Sequence, residues 1–89
     1  MTPAVLAAVF RRATTIALER PTWTHEDLAG SLHAAAKEFG LDSREVALAA
    51  GVPIVLGAKE MVPPFTRETA ATTFERVAAW FEGGQTSPG

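Results

Sequence analysis

The chain has 89 residues, of which 47% are hydrophobic and 20% charged, and its formal net charge is −2. This length fits one domain with a single core and no deep cleft, and the charge balance is that of a globular protein, not a disordered or strongly basic one. Because the chain contains no cysteine, disulfide frameworks, thiolate zinc sites and cysteine nucleophiles are excluded.

The first predicted helix begins at Pro3, with Thr2 as its N-cap, because proline is favoured at the first helical position. Pro21 ends this helix near Glu19 or Arg20, since the residue before a proline is disfavoured in the α region. Apolar residues at helical spacing form the face expected to meet the core: Leu6, Val9, Phe10, Ala13 and Ala17, with Ile16 beside them.

The second predicted helix follows Thr24, an N-cap for which Asp27 supplies an acidic variant of the capping box. Trp23, just before the cap, is expected to pack on Leu28 as a hydrophobic staple, and Gly40 is the expected C-cap. The predicted apolar stripe of this helix consists of Leu28, Leu32, Ala35, Ala36 and Phe39.

A third helix is predicted from Asp42 and Glu45, which have the spacing of a second capping box. Gly51 and Pro53 are expected to end this helix or bend it sharply. The apolar run at 54–56 fits either a short strand or a buried helical turn, and the turn is favoured because no second strand candidate is available for pairing. The short apolar face of the third helix is predicted to contain Val46, Ala49 and Ala50.

Residues 57–64 are predicted to form a loop, and the last helix begins near Thr66 or Arg67 and stops at Gly83 and Gly84. Its predicted buried face contains Ala70, Phe74, Val77, Ala78 and Phe81. The pattern therefore predicts an all-α fold, a small four- to five-helix bundle over residues 1–82, with a flexible C-terminal tail over 83–89.

No targeting or membrane segment is expected. The apolar stretch at 4–10 is interrupted by Arg11 and Arg12, with no basic segment before it and no cleavage site after it. No apolar run approaches the roughly 18 residues needed to span a bilayer. The default expectation is a cytoplasmic protein.

The sequence offers no pattern typical of catalysis or metal binding. His25 and His33 lie eight residues apart, about two helical turns, which is too far for one metal ion, so both are expected to be solvated. Carboxylates are scattered singly beside basic residues, a pattern typical of a solvated surface. We therefore expect no catalytic residues, no metal and no cofactor.

A series of short motifs occurs in order along two thirds of the chain: Trp23-Thr24, Phe39-Gly40-Leu41, Arg44-Glu45-Val46, Ile54-Val55-Leu56-Gly57, Pro63-Pro64-Phe65 and Glu75-Arg76-Val77. In this order they resemble the distal part of the anticodon-binding region at the C-terminus of bacterial-type glutamyl-tRNA synthetases. The resemblance implies a helical bundle that contacts tRNA. Aminoacylation is not expected here, because the catalytic domain of that family is missing from the sequence.

Two departures from the family pattern bear on RNA contact. An arginine that usually precedes the apolar segment is absent from 51–57, where Pro53 has entered, and the family's Gly-Lys-Glu-Arg is replaced by residues 73–76, which lack the lysine. Anticodon reading is therefore less securely implied than the helical bundle.

The first functional hypothesis is a non-catalytic RNA-binding module for tRNA. Its candidate phosphate contacts are Arg44, Lys59, Arg67 and Arg76. Arg44 and Arg67 lie near predicted helix starts and Lys59 in a predicted loop, where side chains can act together with free backbone N–H groups. Because phosphate neutralisation supplies most nucleic-acid affinity, a chain of net charge −2 would need a local basic patch.

The alternative is a protein-interaction or regulatory module that docks a synthetase, a second copy of itself or another partner through an apolar helical face. Phe65 and Trp80 are its candidate partner contacts. Trp80 lies at the edge of the last helix's apolar stripe, so it fits equally a lid on the core or a partner surface. A DNA-binding helix-turn-helix ranks third, because the helix over 43–50 has almost no side chains able to read bases.

Overall fold

The computed structural model describes residues 2–24, 26–58 and 66–84. Within these residues the chain forms five α-helices and no strand, so the all-α prediction is confirmed. The helices are α1 (Pro3–Glu19), α2 (Glu26–Glu38), α3 (Ser43–Ala49), α4 (Gly51–Ala58) and α5 (Arg67–Ala79), with a wider π-helical turn over Trp80–Gly84 continuing α5.

The first helix forms where the sequence predicts it. The Val5 N–H donates to the Thr2 hydroxyl at 3.2 Å, which satisfies one of the backbone donors left open at a helix start. The helix ends at Glu19, and Arg20 is already extended before the proline at position 21.

α1 is the centre of the molecule, packed between α5 and α2. The Phe10 ring is fully buried, with its centroid 5.9 Å from that of Phe74 and 6.5 Å from that of Phe81. The predicted inward faces of α1 and α5 are confirmed, and alanines at the contacts let the helices approach closely. The buried cluster contains Leu6, Ala7, Val9, Phe10, Ala13, Ala17, Ala35, Ala36, Val46, Ala50, Phe74, Val77, Ala78 and Phe81.

The start of α2 carries the predicted acidic cap. The Asp27 carboxylate accepts a hydrogen bond from the Thr24 backbone N–H at 2.8 Å. Trp23 and Leu28, the two residues of the predicted staple, are both half-buried against the core cluster.

The end of α2 is a Schellman turn. Gly40 has a φ of +70°, the Leu41 N–H donates to the Ala36 carbonyl at 2.9 Å, and the Gly40 N–H donates to the Lys37 carbonyl at 3.0 Å. The predicted C-cap role of Gly40 is confirmed. The prediction that Phe39 completes the buried stripe is wrong: the helix has ended at Glu38, and the Phe39 side chain is 43% exposed.

α3 and α4 are separate helices because of Pro53. Proline lacks an N–H and its ring clashes with the carbonyl four residues earlier, which here belongs to Ala49, the last residue of α3. The chain passes through Ala50, and α4 begins at Gly51, so the predicted break is confirmed. Pro53 itself lies in the first turn of α4, where a missing N–H costs little.

The buried turn favoured for 54–56 is only half right. These residues are helical, and Ile54 packs against the core, but Val55 and Leu56 are exposed. α4 also continues through Gly57 and Ala58, so the predicted loop does not begin at 57; the rest of that predicted loop, 59–64, lies outside the described residues. Ala49, predicted on the inner face of α3, is exposed as well.

α5 begins with a reciprocal capping box. The Thr69 N–H donates to the Thr66 hydroxyl at 3.2 Å, and the Thr66 N–H donates to the Thr69 hydroxyl at 2.8 Å. The predicted start of the helix at Thr66 or Arg67 is confirmed. Of the predicted tail, Gly83 and Gly84 belong to the π-helical turn, and 85–89 lie outside the described residues.

Candidate functional site

The most distinctive surface feature is a set of large apolar side chains in water on α3 and α4. Leu48 is 82% exposed, Val55 68%, Val52 63% and Leu56 52%. Together with Gly51 they line an open groove of about 500 Å³. We call these five residues the α3–α4 face.

Local sequence explains why this face is apolar. Residues 46–58 contain no charged and no hydrogen-bonding side chain. Pro53 is buried and Ile54 half-buried on the side of α4 that packs on α5, and Val46 and Ala50 reach the core. Since apolar residues also occupy the positions that point away from the core, α4 is apolar all round although only one side of it is covered.

The exposed apolar side chains of the α3–α4 face lie next to one another, which sets them apart from single exposed residues. Single exposed apolar side chains are common on folded proteins and need no explanation. A contiguous exposed patch is unusual, and such patches mark interaction sites or binding grooves. The groove is the shape expected of a surface that receives an apolar side chain.

Gly51 keeps the groove open. Apart from its chain neighbours and its own helix backbone, no atom of the described residues lies within 4 Å of a Cβ built on Gly51, so none of those residues fills this space. Gly51 is not among the residues with positive φ, and a larger side chain there would occupy the groove without straining the backbone.

Two of the predicted RNA contacts, Arg67 and Arg76, lie on opposite sides of α5. Arg44 is exposed at the second position of α3, and Arg67 is half-buried at the first position of α5, where its Nε is shielded from solvent. Arg76 is exposed, but nine residues at 100° each place it on the opposite side of α5 from Arg67. Lys59 lies outside the described residues. The helix geometry therefore does not join Arg67 and Arg76 into one basic patch.

Three other arginines are held by carboxylates. Arg12 Nε donates to Glu38 at 2.8 Å, Arg20 donates to Asp27, and Arg11 forms an ion pair with Glu82. The hydrogen bond and the charge of Glu38 raise the pKa of the Arg12 guanidinium. Sequence spacing did not predict these pairs, because each joins residues from different elements.

The Arg11–Glu82 pair ties the π-helical turn to α1. Arg11 Nε donates to Glu82 at 3.2 Å. The hydrogen bond from Arg11 lowers the pKa of the Glu82 carboxyl below its ordinary value, and the same bond raises the pKa of Arg11. Both groups are exposed, so solvent screens the interaction.

Trp80, one of the two predicted partner contacts, does not line the groove of the α3–α4 face. Trp80 is half-buried against the core, and its ring meets the edge of Phe81 at a centroid distance of 5.2 Å and an angle of 88°. This arrangement fits a lid on the core, although part of the ring still meets solvent. Phe65 lies outside the described residues.

His33 is exposed and its Nδ1 lies 3.1 Å from the Ser43 hydroxyl, which links α2 to the start of α3; His25 lies outside the described residues. Among the residues that the structure describes, no three His, Asp or Glu side chains come together as a metal site. In the same residues, no helix is long and apolar enough to cross a membrane.

Comparisons with known proteins do not extend this picture. No family model matches the chain, no curated protein matches it, and no solved structure matches its fold. The α3–α4 face is therefore identified as the candidate site from its geometry alone. The uncharged run at 46–58 was a signal for this face in the sequence, but interpreting 54–56 as buried concealed it.

Proposed function

We propose that this protein is a non-catalytic interaction module that docks a protein partner against the α3–α4 face. The observation that carries the proposal is the contiguity of four large apolar side chains, each more than half exposed, around an open groove. The partner surface is expected to be apolar, because the face offers a partner no charge to pair with.

The expected affinity is modest. Full burial of a leucine or valine side chain contributes about 1.5–3 kcal/mol. Association costs roughly 4–15 kcal/mol in lost freedom of motion, so four such side chains leave only a small net free energy of binding. A reversible complex fits this balance better than a permanent one.

The test is an affinity capture from cell extract with three baits. Leu48→Glu and Val55→Glu place a charge on the face. Leu18→Glu is the matched control, since Leu18 is 50% exposed on α1 and does not line the groove. We expect the wild type and Leu18→Glu to retain the same partner and both face variants to lose it, with unchanged circular dichroism. A partner retained equally by all baits contradicts the proposal, and so does a wild type that captures no partner and does not self-associate.

RNA binding is the second candidate, supported by the synthetase resemblance together with Arg44 and Arg67 near the starts of α3 and α5. Against it count the net charge of −2 and the opposite placement of Arg67 and Arg76 on α5. The test is a titration with bulk tRNA at low and high salt, with Arg44→Ala as the variant. Binding that weakens with salt and with Arg44→Ala supports it, and no binding at low salt removes it.

A further inference from the structure

We infer that the α3–α4 face pairs with the same face of a second copy of this chain, about a two-fold axis near Val52. This inference rests on the proposed function and names the partner of that same surface. Val52 lies at the middle of the face in sequence, between Leu48 and Leu56. A symmetric pair centred on the face therefore brings the two Val52 side chains close to the axis.

Charge is the first argument for a second copy. In a two-fold interface the same patch meets itself, so any net charge on the patch faces its own like charge. The α3–α4 face has none, and no charged residue occurs anywhere between 46 and 58. The face thus avoids the repulsion that opposes self-association for a chain of net charge −2.

Shape is the second argument. The face carries both a projecting side chain and a recess that can receive one. Leu48, the most exposed of its residues, lines the groove, and the space beside Gly51 is open. In a symmetric pair, Leu48 of each copy enters the groove of the other, which is the reciprocal contact that a two-fold interface requires.

The size of the face sets the strength of the pair. Stable interfaces bury about 800 Å² on each partner. Four exposed side chains and a glycine provide only part of that area, so the dimer should be reversible and dissociate on dilution.

The experiment is sedimentation equilibrium of the full chain over a concentration series, with charge-swap variants at the axis. The wild type should rise from the monomer mass of 9.4 kDa toward twice that mass as concentration increases. Val52→Glu and Val52→Lys should each remain monomeric, because each places like charges at the axis. An equimolar mixture of the two variants should recover the doubled mass, since opposite charges then meet. Leu18→Glu is the control and should associate like the wild type.

Gly51→Leu provides a second variant that does not depend on charge. It fills the groove, and because the new Cβ meets no described residue beyond its own helix and chain neighbours, the fold of the monomer should be retained. We expect Gly51→Leu to remain monomeric with an unchanged circular dichroism spectrum.

Three outcomes overturn the inference. The first is a wild type that stays monomeric up to about 1 mM. The second is a dimer that survives in both Val52 variants, and the third is a mixture of the two variants that stays monomeric. A monomeric wild type whose captured partner is lost in Leu48→Glu overturns self-pairing but leaves the proposed function standing. A monomeric wild type that captures no partner through the face overturns both.

Discussion

Arg20 Nη1, at the end of α1, donates to Oδ1 of Asp27 in the first turn of α2 at 3.1 Å. The Nε of the same guanidinium donates to the hydroxyl of Ser31, which is fully buried, at 3.1 Å. One side chain thus fixes the turn between the two helices. The carboxylate of Asp27 also accepts from Thr24, so the turn and the helix cap share one acceptor group.

Replacing Arg20 with alanine should destabilise the fold by about 1–2 kcal/mol, because the buried Ser31 hydroxyl loses its donor. The matched control is Arg12→Ala, whose ion pair with Glu38 is more exposed on both sides and should change stability by less than about 0.5 kcal/mol. Urea unfolding followed by circular dichroism measures both. Equal effects from the two variants would contradict the role assigned to Ser31.

Phe10→Ala should remove most of the stability of the protein. The ring is fully buried between those of Phe74 and Phe81, and a buried phenylalanine-to-alanine change costs about 3–5 kcal/mol. Domains of this size have total stabilities near the lower end of about 5–15 kcal/mol. Phe10→Leu should unfold cooperatively at a urea concentration between the midpoints of the wild type and Phe10→Ala. A Phe10→Ala variant that melts like the wild type would show that the ring is not central to the core.

Gly40→Ala should destabilise the protein by about 1 kcal/mol, because only glycine adopts a φ of +70° without strain. Gly40→Asn should cost less, since asparagine tolerates the left-handed region better than alanine does. Gly51→Ala is the control: its φ is not positive, no atom lies within 4 Å of its Cβ, and stability should not fall. Thermal unfolding at low protein concentration separates the three variants.

Two neighbouring positions on α3 test the orientation of that helix. Val46→Ser should destabilise by about 2 kcal/mol or more, because Val46 is fully buried and serine brings a polar group into its place. Leu48→Ser should stay within about 0.5 kcal/mol of the wild type, since Leu48 is mostly in water. If Leu48→Ser were the more damaging change in dilute samples, α3 would be rotated from the orientation described.

The Arg11–Glu82 pair predicts a small stability change in acid. Because Arg11 lowers the pKa of the folded Glu82 carboxyl, the unfolded chain takes up a proton first as the pH falls. The pair's contribution is present above the ordinary pKa of 4.5 and is lost as the pH falls through the lower folded value. The stability difference between wild type and Glu82→Gln should shrink over that range, and high salt should reduce it at neutral pH.

The control for this effect is the same comparison in an Arg11→Gln background. Without the guanidinium, Glu82→Gln should no longer produce a difference that depends on pH in this way. A pH dependence that persists in the Arg11→Gln background would assign the lowered pKa of Glu82 to another group.

Local signals predicted most of the fold. Thr2, Gly40 and Thr66 act on their own helix ends, and such backbone effects are visible in a few neighbouring residues. The faces of α1 and α5 were predictable because their apolar periodicity is strong. The ion pair between Arg11 and Glu82 was not, because it depends on how the first and last helices pack.

The candidate site was harder to predict than the fold. Apolar periodicity identifies the buried side of a helix by its contrast with a polar side. Because α4 has no polar side, periodicity does not show which of its apolar residues are exposed. Whether Val55 and Leu56 are covered depends on how many neighbours reach them, which is a property of the packed molecule. The basic residues illustrate the same limit, since Arg67 and Arg76 are close in sequence but point to opposite sides of α5.

The contact of Phe10 with Phe74 and Phe81 has a consequence for how the chain folds. The centre of the core joins the first helix to the last, so the rings meet only after nearly the whole chain has been brought together. Closing so long a loop carries an entropic cost that must be met before the aromatic contacts form. This topology slows folding relative to a bundle of sequential neighbours, and α4, which packs on α5, gains its covering surface only when α5 has joined the core.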